Sequence, residues 1–282
     1  MLNSMMPYIK VARLHQPWGI LLLGWPTITA LVLVMPFWDW ALIGVFITGI
    51  VLVRSAGCVI NDYADQWLDG SVSRTCNRPL VNGELTGQKA LIYFLALLLS
   101  ASSLLCYLNH SAQLWSLVCV MALCVYPYCK RVIQMPQLFL GVVFTMGIPM
   151  AYFAVGQPLG LEGGLLWLIS VYWVFVYDTI YAYSDLEDDK RMEAKSSAVF
   201  FESKKGFRVK HHLALILLSW LLWGWMIKVN SYYYLCLIPL AYNFYLQTYF
   251  FACREYLVAF KYNQIAGFYI LLGVFINRMV LY

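Results

Sequence analysis

Two groups of carboxylates, far apart in the sequence, lie at the ends of long apolar segments. The first group is Asp62, Asp65 and Asp69 together with the carboxamide of Asn61, and the second is Asp185, Asp188 and Asp189. A charged side chain at membrane depth costs on the order of 2.5 kcal/mol or more, so such residues usually have a function. Oxygen ligands without histidine or thiolate favour hard cations such as Mg²⁺. The two groups therefore predict a divalent metal site.

The spacing within each group places several of its members on one face of a helix. If the helix of the second apolar segment continues through Trp67, then Asn61, Asp65 and Asp69 fall within about 80° of one another. Asp62 points elsewhere, towards a supporting partner. The same logic places Asp185 and Asp189 on one face after the sixth segment. We therefore predict these five metal ligands: Asn61, Asp65, Asp69, Asp185 and Asp189.

Basic residues follow both groups. Those that flank or face the carboxylates are Arg74, Arg78, Lys130, Arg131 and Lys195. Carboxylates that hold metal ions, together with Arg and Lys that bind anionic oxygens, are typical of a phosphate site. We predict that these basic residues bind phosphate oxygens and that the catalytic set is Asp65, Asp69, Asp185, Asp189 and Arg131. The other basic residues near helix ends, such as Lys204 and Arg208, are interpreted as topology signals.

Arg54 lies inside the second apolar segment, seven residues before Asn61. A buried Arg needs an anionic partner. Two interpretations stay open: Arg54 pairs with Asp178, or Arg54 receives the carboxylate of an organic substrate. In the second case Arg54 and Asp178 belong to a site for an organic acid.

The composition indicates an integral membrane protein. The chain has 282 residues, of which 62% are hydrophobic and 12% charged, whereas soluble domains carry about 25% charged residues. Stretches of roughly 20 apolar residues, enough to cross a bilayer as helix, recur along the whole chain. The predicted spans are 17–36, 41–61, 88–108, 113–130, 138–155, 163–183, 211–229, 232–250 and 263–281.

The distribution of charge predicts the orientation. Most Lys and Arg residues fall after spans two, four, six and eight, while the opposite side has little beyond Lys228 and Arg278. Basic loops stay in the cytoplasm, so the N-terminus and both carboxylate groups are expected there. The net charge of +5 then reflects topology. Without a basic stripe interleaved with surface aromatics, no nucleic-acid partner is expected.

No linker or composition shift divides the chain, so residues 1–282 are expected to form one transmembrane domain. The predicted fold is all-α, with nine transmembrane helices around a central cavity. Two connections, 62–88 and 184–210, are much longer than most others, and long ordered loops tend to be functional. Both are predicted to be cytoplasmic, and both begin with carboxylates.

At these residues the chain resembles the UbiA superfamily of membrane-embedded aromatic prenyltransferases, and within it the 4-hydroxybenzoate branch. The run Gly-Cys-Val-Ile-Asn-Asp-Tyr-Ala-Asp that ends at Asp65 and the Tyr-Asp-Thr segment that begins at Tyr177 are similar to that branch. The resemblance extends over residues 13–27, 54–65, 74–80, 126–131, 147–150 and 177–196.

The resemblance implies an activity. A polyprenyl diphosphate would be the donor, 4-hydroxybenzoate the acceptor, and two Mg²⁺ ions bridged by the diphosphate the cofactors, in a bacterial inner membrane and in ubiquinone biosynthesis. The membrane lipid would surround the protein, and the tail of the donor would lie within the bilayer. Asn61, Asp65 and Asp69 would form the first metal motif, and Asp185 and Asp189 the second. The diphosphate would be bound by Arg74, Arg78, Lys130, Arg131 and Lys195, and the aromatic acid by Arg54 and Asp178.

Two other functions remain open at this point. Relatives that prenylate other quinone precursors or haem share the metal motifs, so the acceptor could differ while the chemistry stays the same. A secondary transporter also carries acids within its membrane helices, but near the bilayer midplane. Here the acids cluster at one interface with arginines, which favours the enzyme.

Overall fold

The computed structural model describes residues 2–70, 74–204 and 206–281, without the side chains of residues 2–4, 68, 130 and 281. Within these ranges every regular element is helical. The α-helices are α1 (Leu2–Val11), α2 (Trp18–Val34), α3 (Trp40–Ala64), α4 (Gln66–Asp69), α5 (Gly87–Ser103), α6 (His110–Val132), α7 (Pro136–Thr145), α8 (Gly147–Ala154), α9 (Gly160–Ala182), α10 (Leu186–Arg191), α11 (Ser197–Ser203), α12 (Val209–Met226), α13 (Ser231–Ala252), α14 (Tyr256–Lys261) and α15 (Asn263–Leu281).

In the described ranges, six helical segments are long and apolar enough to cross a membrane: Trp40–Ala64, Gly87–Tyr107, His110–Cys129, Pro136–Ala154, Gly160–Arg191 and Tyr256–Val280. The predicted all-helical membrane fold is therefore confirmed. Each of the nine predicted ranges contains helix, but three of these helices are not among the six. Helix α2 has only 17 residues, and polar residues lower the mean hydropathy of α12 and α13.

Polar side chains start several of the long helices. Asp39 accepts a hydrogen bond from the backbone N–H of Leu42 at 2.9 Å and so begins α3. Thr86, Asn109 and Asn230 make equivalent bonds at the starts of α5, α6 and α13. Such caps satisfy N–H groups that have no partner inside the helix. Short polar residues between long apolar runs therefore determine where these helices begin.

The connection after α6 leads into a helix that is broken into α7 and α8, and α8 packs closely against α2. Helices α7 and α8 are separated at Met146, and Gly147 begins α8. A Cβ atom at Gly147 would overlap Oγ1 of Thr27 in α2, so the backbone of α8 lies directly against the Thr27 side chain. This close approach fixes α8 against α2.

Helix α9 lies at the centre of the molecule. Its buried residues, among them Val174, Val176 and Ile180, belong to the largest apolar core, and it packs against α7, α12 and α14. A second core joins α1, α3 and α5 to the connection after α4. Between α9 and this second core lies a cavity, which contains the candidate site.

Candidate active site

One cavity of about 1110 Å³ contains every predicted site residue whose side chain the structure describes. Pockets for drug-sized ligands measure about 300–1,000 Å³, so this cavity has room for a larger molecule. At one end its wall is charged, with residues of both carboxylate groups. Elsewhere the wall is apolar and includes Phe46, Ile50, Leu105 and Leu123.

A single face of α3 connects the two ends of the cavity. The residues of α3 that line it include a row that recurs every three or four positions: Phe46, Ile50, Arg54, Cys58 and Asn61. At 1.5 Å per residue this face extends over about 22 Å. The cavity therefore leads from the charged end deep into the apolar part of the protein.

The first carboxylate group keeps its helical register although the helix breaks. Helix α3 ends at Ala64 and does not continue through Trp67 as the spacing argument assumed; α4 begins at Gln66. The backbone N–H of Asp65 still donates to the carbonyl of Asn61 at 2.9 Å, and that of Asp69 to the carbonyl of Asp65 at 2.9 Å. All three side chains line the cavity.

The second group follows the end of α9. A short 3₁₀ segment, Tyr183–Asp185, joins α9 to α10, which contains Asp189. Asp185 and Asp189 both line the same cavity, together with Asp178 and Tyr181 from the last turns of α9.

An ion pair joins the connection after α4 to the second carboxylate group, across 111 residues of sequence. The Nε of Arg74 donates to Oδ1 of Asp185 at 2.9 Å and its Nη2 to Oδ2 at 2.5 Å. The guanidinium also lies over the ring of Tyr181, 4.9 Å from its centroid. Burial lowers the pKa of Arg74, but the hydrogen bonds to Asp185, together with the electrostatic contributions of Tyr181, Asp185 and Asp69, set the pKa above its ordinary value. The connection after α4 therefore meets the second group at one site.

A second network surrounds Asp62, whose side chain is buried. Arg13 donates to Oδ1 of Asp62 at 2.8 Å, and Nη1 of Arg78 lies 3.0 Å from the same oxygen. Arg78 also pairs with Asp69. Burial raises the pKa of the Asp69 carboxyl, while the charge of Arg78 opposes this shift. Asp62 therefore helps to position Arg78, one of the basic residues of the predicted phosphate site.

Buried residues hold both connections in place over the cavity. In the first, Leu80 and Leu85 belong to the second apolar core, and Thr75 donates to the carbonyl of Asp69 at 2.8 Å. In the second, the backbone N–H of Ser197 donates to Oε1 of Gln137 at 2.8 Å. The hydroxyl of Ser197 lies 2.8 Å from that of Thr179 in α9.

Three predicted diphosphate ligands meet at the end of α6: Lys130 and Arg131 belong to this helix, and Lys195 contacts it. Nη2 of Arg131 donates to the carbonyl of Ala64 at 3.1 Å, which places its guanidinium beside the first group. Nζ of Lys195 donates to the carbonyl of Val132 at 3.0 Å. Lys130 belongs to α6, but its side chain lies outside the described residues.

Arg54 lies in the middle of the cavity wall. Its Nη1 donates to Sγ of Cys58 at 2.7 Å, and its guanidinium lies over the ring of Phe144 at 5.2 Å. Asp178 and Arg54 are both within electrostatic range of the hydroxyls of Tyr126 and Tyr177. The predicted site for an aromatic acid is thus a polar patch within the cavity.

Comparison with known proteins assigns the chain to a family. The UbiA prenyltransferase family matches residues 23–272. The chain belongs to the UbiA prenyltransferase family. Among its relatives, a 4-hydroxybenzoate octaprenyltransferase of Xylella fastidiosa (strain M23) is 45% identical over 203 residues, covering 71% of this chain and 67% of that protein. A protein of the same name from Hydrogenovibrio crunogenus is 36% identical and covers 98% of this chain and 99% of its own length.

Solved UbiA structures share the fold. The apo structure of a UbiA homolog from Aeropyrum pernix K1 superposes with a TM-score of 0.76 at 23% identity, covering 92% of this chain and 97% of that one. A UbiA homolog from Archaeoglobus fulgidus, bound to DMAPP and Mg²⁺, superposes with a TM-score of 0.68 at 16% identity, covering 94% and 99%. The protein is therefore a multi-pass membrane protein of the UbiA fold.

The donor set of this UbiA protein suits Mg²⁺. Carboxylate and amide oxygens from both groups face one cavity, yet among the described side chains no three His, Cys, Asp or Glu residues form a cage by themselves. Mg²⁺ usually binds through one or two carboxylates, with substrate phosphates and water as its other ligands. The arrangement fits a metal ion that is bound together with a phosphate substrate.

The structure adds residues that sequence reasoning assigned no definite role. Asp62 and Arg13 form the network that holds Arg78, and Tyr181 lies below Arg74. Asp62 directly follows Asn61, and Arg13 begins one of the motifs similar to the UbiA family, so the sequence contained a signal for each residue. The sequence did not predict that the two residues pair, because their contact depends on the packing of α1 near α3.

Proposed function

We propose that this protein transfers a polyprenyl group from a polyprenyl diphosphate to the ring of 4-hydroxybenzoate. The product would be 3-polyprenyl-4-hydroxybenzoate, a precursor in ubiquinone biosynthesis. The observation that carries the proposal is the single cavity in which both carboxylate groups and an apolar wall meet. The relatives named 4-hydroxybenzoate octaprenyltransferase support the choice of acceptor.

The charged end of the cavity would bind the diphosphate. Arg74, Arg78, Lys130, Arg131 and Lys195 supply the positive charge that anionic oxygens require. Two Mg²⁺ ions, held by Asn61, Asp65, Asp69, Asp185 and Asp189, would neutralise negative charge on the departing diphosphate. The isoprenoid tail would lie along the apolar wall, where its transfer from water is favourable.

The acceptor would bind beside this site, with its carboxylate on the guanidinium of Arg54 and its ring near Phe144. Asp178 would complete the polar patch. This interpretation uses the positive charge of Arg54, which the cavity exposes to a ligand. It also places the ring close to the end of the apolar wall, where the first carbon of the prenyl chain would lie.

The reaction exchanges one bond for another. The C–O bond between the allylic carbon and the diphosphate breaks, and its electron pair leaves with the diphosphate. The ring carbon ortho to the hydroxyl then bonds to the allylic carbon, and the ring proton passes to Asp185 or to the diphosphate. Aromatic rings in the cavity wall, including those of Tyr126 and Tyr177, would stabilise positive charge on the allylic carbon and exclude water.

The fold and location complete the proposal. Residues 1–282 would form one domain with nine transmembrane helices around the cavity, in a bacterial inner membrane. The N-terminus and the charged end of the cavity would face the cytoplasm, where most Lys and Arg residues of the connections would lie.

An acceptor panel tests this function. Membranes containing the protein are incubated with Mg²⁺, octaprenyl diphosphate and one acceptor at a time: 4-hydroxybenzoate, homogentisate, a dihydroxynaphthoate or haem. We expect 4-hydroxybenzoate to be prenylated at least tenfold faster than the others. Faster transfer to another acceptor would replace the proposed substrate, and no transfer to any of them would refute the activity.

A further inference from the structure

Arg131, at the charged end of the cavity, lies against two aromatic rings. Its Cζ atom is 5.6 Å from the ring centroid of Trp67 in α4 and 5.2 Å from that of Tyr128 in α6. A cation within about 6 Å of a ring centroid is attracted to the face of the ring. Tyr128 precedes Arg131 by three residues in the same helix, whereas Trp67 belongs to another element. The contact with Trp67 therefore joins α4 to the end of α6.

Packing in the interior does not explain the position of Trp67. The residue is 66% exposed, so most of its surface is outside the protein core. It lies in sequence between Asp65 and Asp69, two of the predicted metal ligands, and it lines the cavity together with Arg131. An exposed tryptophan often anchors a protein at the membrane surface. An anchoring role does not require a guanidinium over the ring.

A hydrogen bond fixes the guanidinium on the other side of this contact. Nη2 of Arg131 donates to the carbonyl of Ala64 at 3.1 Å. Ala64 is the last residue of α3, and the last carbonyls of a helix lack partners inside it. The bond therefore holds the guanidinium at the break between α3 and α4, beside the first carboxylate group.

The aromatic contacts leave the guanidinium able to bind an anion. The N–H groups of an arginine point along the plane of the guanidinium, whereas a ring in a cation–π contact attracts the cation through the face of its π-system. A ring thus restrains the cation without accepting the hydrogen bonds that phosphate oxygens accept. An exposed arginine otherwise loses side-chain entropy when a ligand orders it. A guanidinium that is already restrained binds its ligand at a smaller entropic cost.

We propose that Trp67 is a positioning residue for the prenyl donor: together with Tyr128 it holds Arg131 in place to bind the diphosphate. This inference rests on the proposed function, because it assigns the diphosphate of the donor to Arg131. Trp67 acts through Arg131 and need not touch the substrate. The segment that carries Asp65 and Asp69 then orders a cation of the same site as well.

Three substitutions separate this role from folding and from anchoring. Trp67→Ala removes the ring at an exposed position, so the fold should remain. Trp67→Phe keeps an aromatic ring there. Trp225→Ala is the matched control, because Trp225 is 74% exposed and does not line the cavity.

The experiment measures the Kd of inorganic diphosphate for the purified full-length protein in detergent with Mg²⁺, by titration calorimetry. We expect Trp67→Ala to raise this Kd two- to fivefold, which corresponds to about 0.5–1 kcal/mol for an exposed cation–π contact. Trp67→Phe and Trp225→Ala should bind like the parent protein. In prenyl-transfer assays Trp67→Ala should raise KM for octaprenyl diphosphate by a similar factor and leave KM for 4-hydroxybenzoate unchanged.

A double-variant cycle tests whether Trp67 acts through Arg131. In a protein that already carries Arg131→Ala, the substitution Trp67→Ala should have no further effect on the Kd of diphosphate. An unchanged Kd in Trp67→Ala alone, as an anchoring role predicts, or an equal increase in both backgrounds would overturn the inference. So would a Trp67→Phe protein that binds as weakly as Trp67→Ala.

The two readouts distinguish failure of this inference from failure of the proposed function. A parent protein that binds diphosphate but transfers no prenyl group to 4-hydroxybenzoate would refute the proposed function, and the Kd series would still decide the role of Trp67. A parent protein that does not bind diphosphate would refute both.

Discussion

Arginines and carboxylates at the mouth of the cavity hold one another in place. Asp185 binds Arg74 through both of its oxygens, and Asp62 lies between Arg13 and Arg78. An arginine loses much side-chain entropy when it is ordered. Because acids of the protein already order these guanidiniums, a diphosphate that arrives meets cations that are close to their binding positions.

The ion pair between Arg74 and Asp185 leads to a prediction about donor binding. We expect Arg74→Ala to raise KM for octaprenyl diphosphate about tenfold or more, since a hydrogen bond to a charged group contributes about 1.5–3 kcal/mol. KM for 4-hydroxybenzoate should change far less. Separate titration of the two substrates in a prenyl-transfer assay measures both constants.

Arg191→Ala is the control for this variant. The side chain of Arg191 is 75% exposed and lies 3.5 Å from Asp188. The substitution therefore removes the same charge at a residue that does not line the cavity. Equal increases of the donor KM in both variants would show that net charge near the membrane, and not the contact with Asp185, governs donor binding.

At the residue scale the sequence predicted which side chains line the cavity, but not how they pair. Asn61, Asp65 and Asp69 are four residues apart, so local helix geometry is enough to place them on one face. The partner of Asp185 is 111 residues away in sequence, so it is determined by tertiary packing. Binding of a substrate carboxylate by Arg54 depends on the identity of the substrate, so this role of Arg54 stays a prediction.

Short elements position the site between the long helices. Helix α4 and the 3₁₀ segment before α10 turn the chain at the places where the carboxylates must face the cavity. Apolar periodicity predicted the long helices, because their pattern extends over many residues. It could not predict a break at Asp65 or at Met146, since both depend on what the following residues contact.

The close contact of α8 with α2 can be tested at the element scale. A methyl group at Gly147 would overlap Oγ1, Cγ2 and Cβ of Thr27, so Gly147→Ala should push the two helices apart. Overpacking of this kind costs about 1–3 kcal/mol. We expect a lower unfolding temperature in detergent, measured by tryptophan fluorescence.

Gly44→Ala makes the same chemical change in α3, at a position where no atom lies within 4 Å of the new Cβ. Replacing a glycine inside a helix with alanine stabilises by about 0.5–1 kcal/mol, so this control should unfold at the same or a higher temperature. A Gly147→Ala protein as stable as the control would show that α8 can move away from α2 at no cost.

The whole molecule combines a polar mouth with an apolar interior, which suits a substrate with a charged head and a long hydrocarbon chain. Composition was sufficient to predict a membrane protein, and the charge bias predicts which side the mouth faces. Two exposed cysteines, Cys106 and Cys253, make this orientation measurable. In the proposed topology Cys106 lies outside the cytoplasm and Cys253 inside.

Variants that keep only one of these cysteines are treated with a membrane-impermeant maleimide in intact cells. We expect Cys106 to be labelled directly, whereas Cys253 should be labelled only after the membrane is permeabilised. Labelling of both after solubilisation verifies that each thiol is reactive. The reverse pattern in intact cells would place the mouth of the cavity on the outer side.

The central claim is that two distant carboxylate groups act at one site to release diphosphate from a lipid donor. The most direct measurement is the formation of 3-octaprenyl-4-hydroxybenzoate by membranes that contain equal amounts of the parent protein, Asp65→Ala, Asp185→Ala or the exposed-site control Glu187→Ala. Our account expects product with the parent and with Glu187→Ala, and a loss of at least 100-fold, about 2.7 kcal/mol in transition-state stabilisation, with each of the other two. Undiminished product with Asp65→Ala or with Asp185→Ala would contradict it.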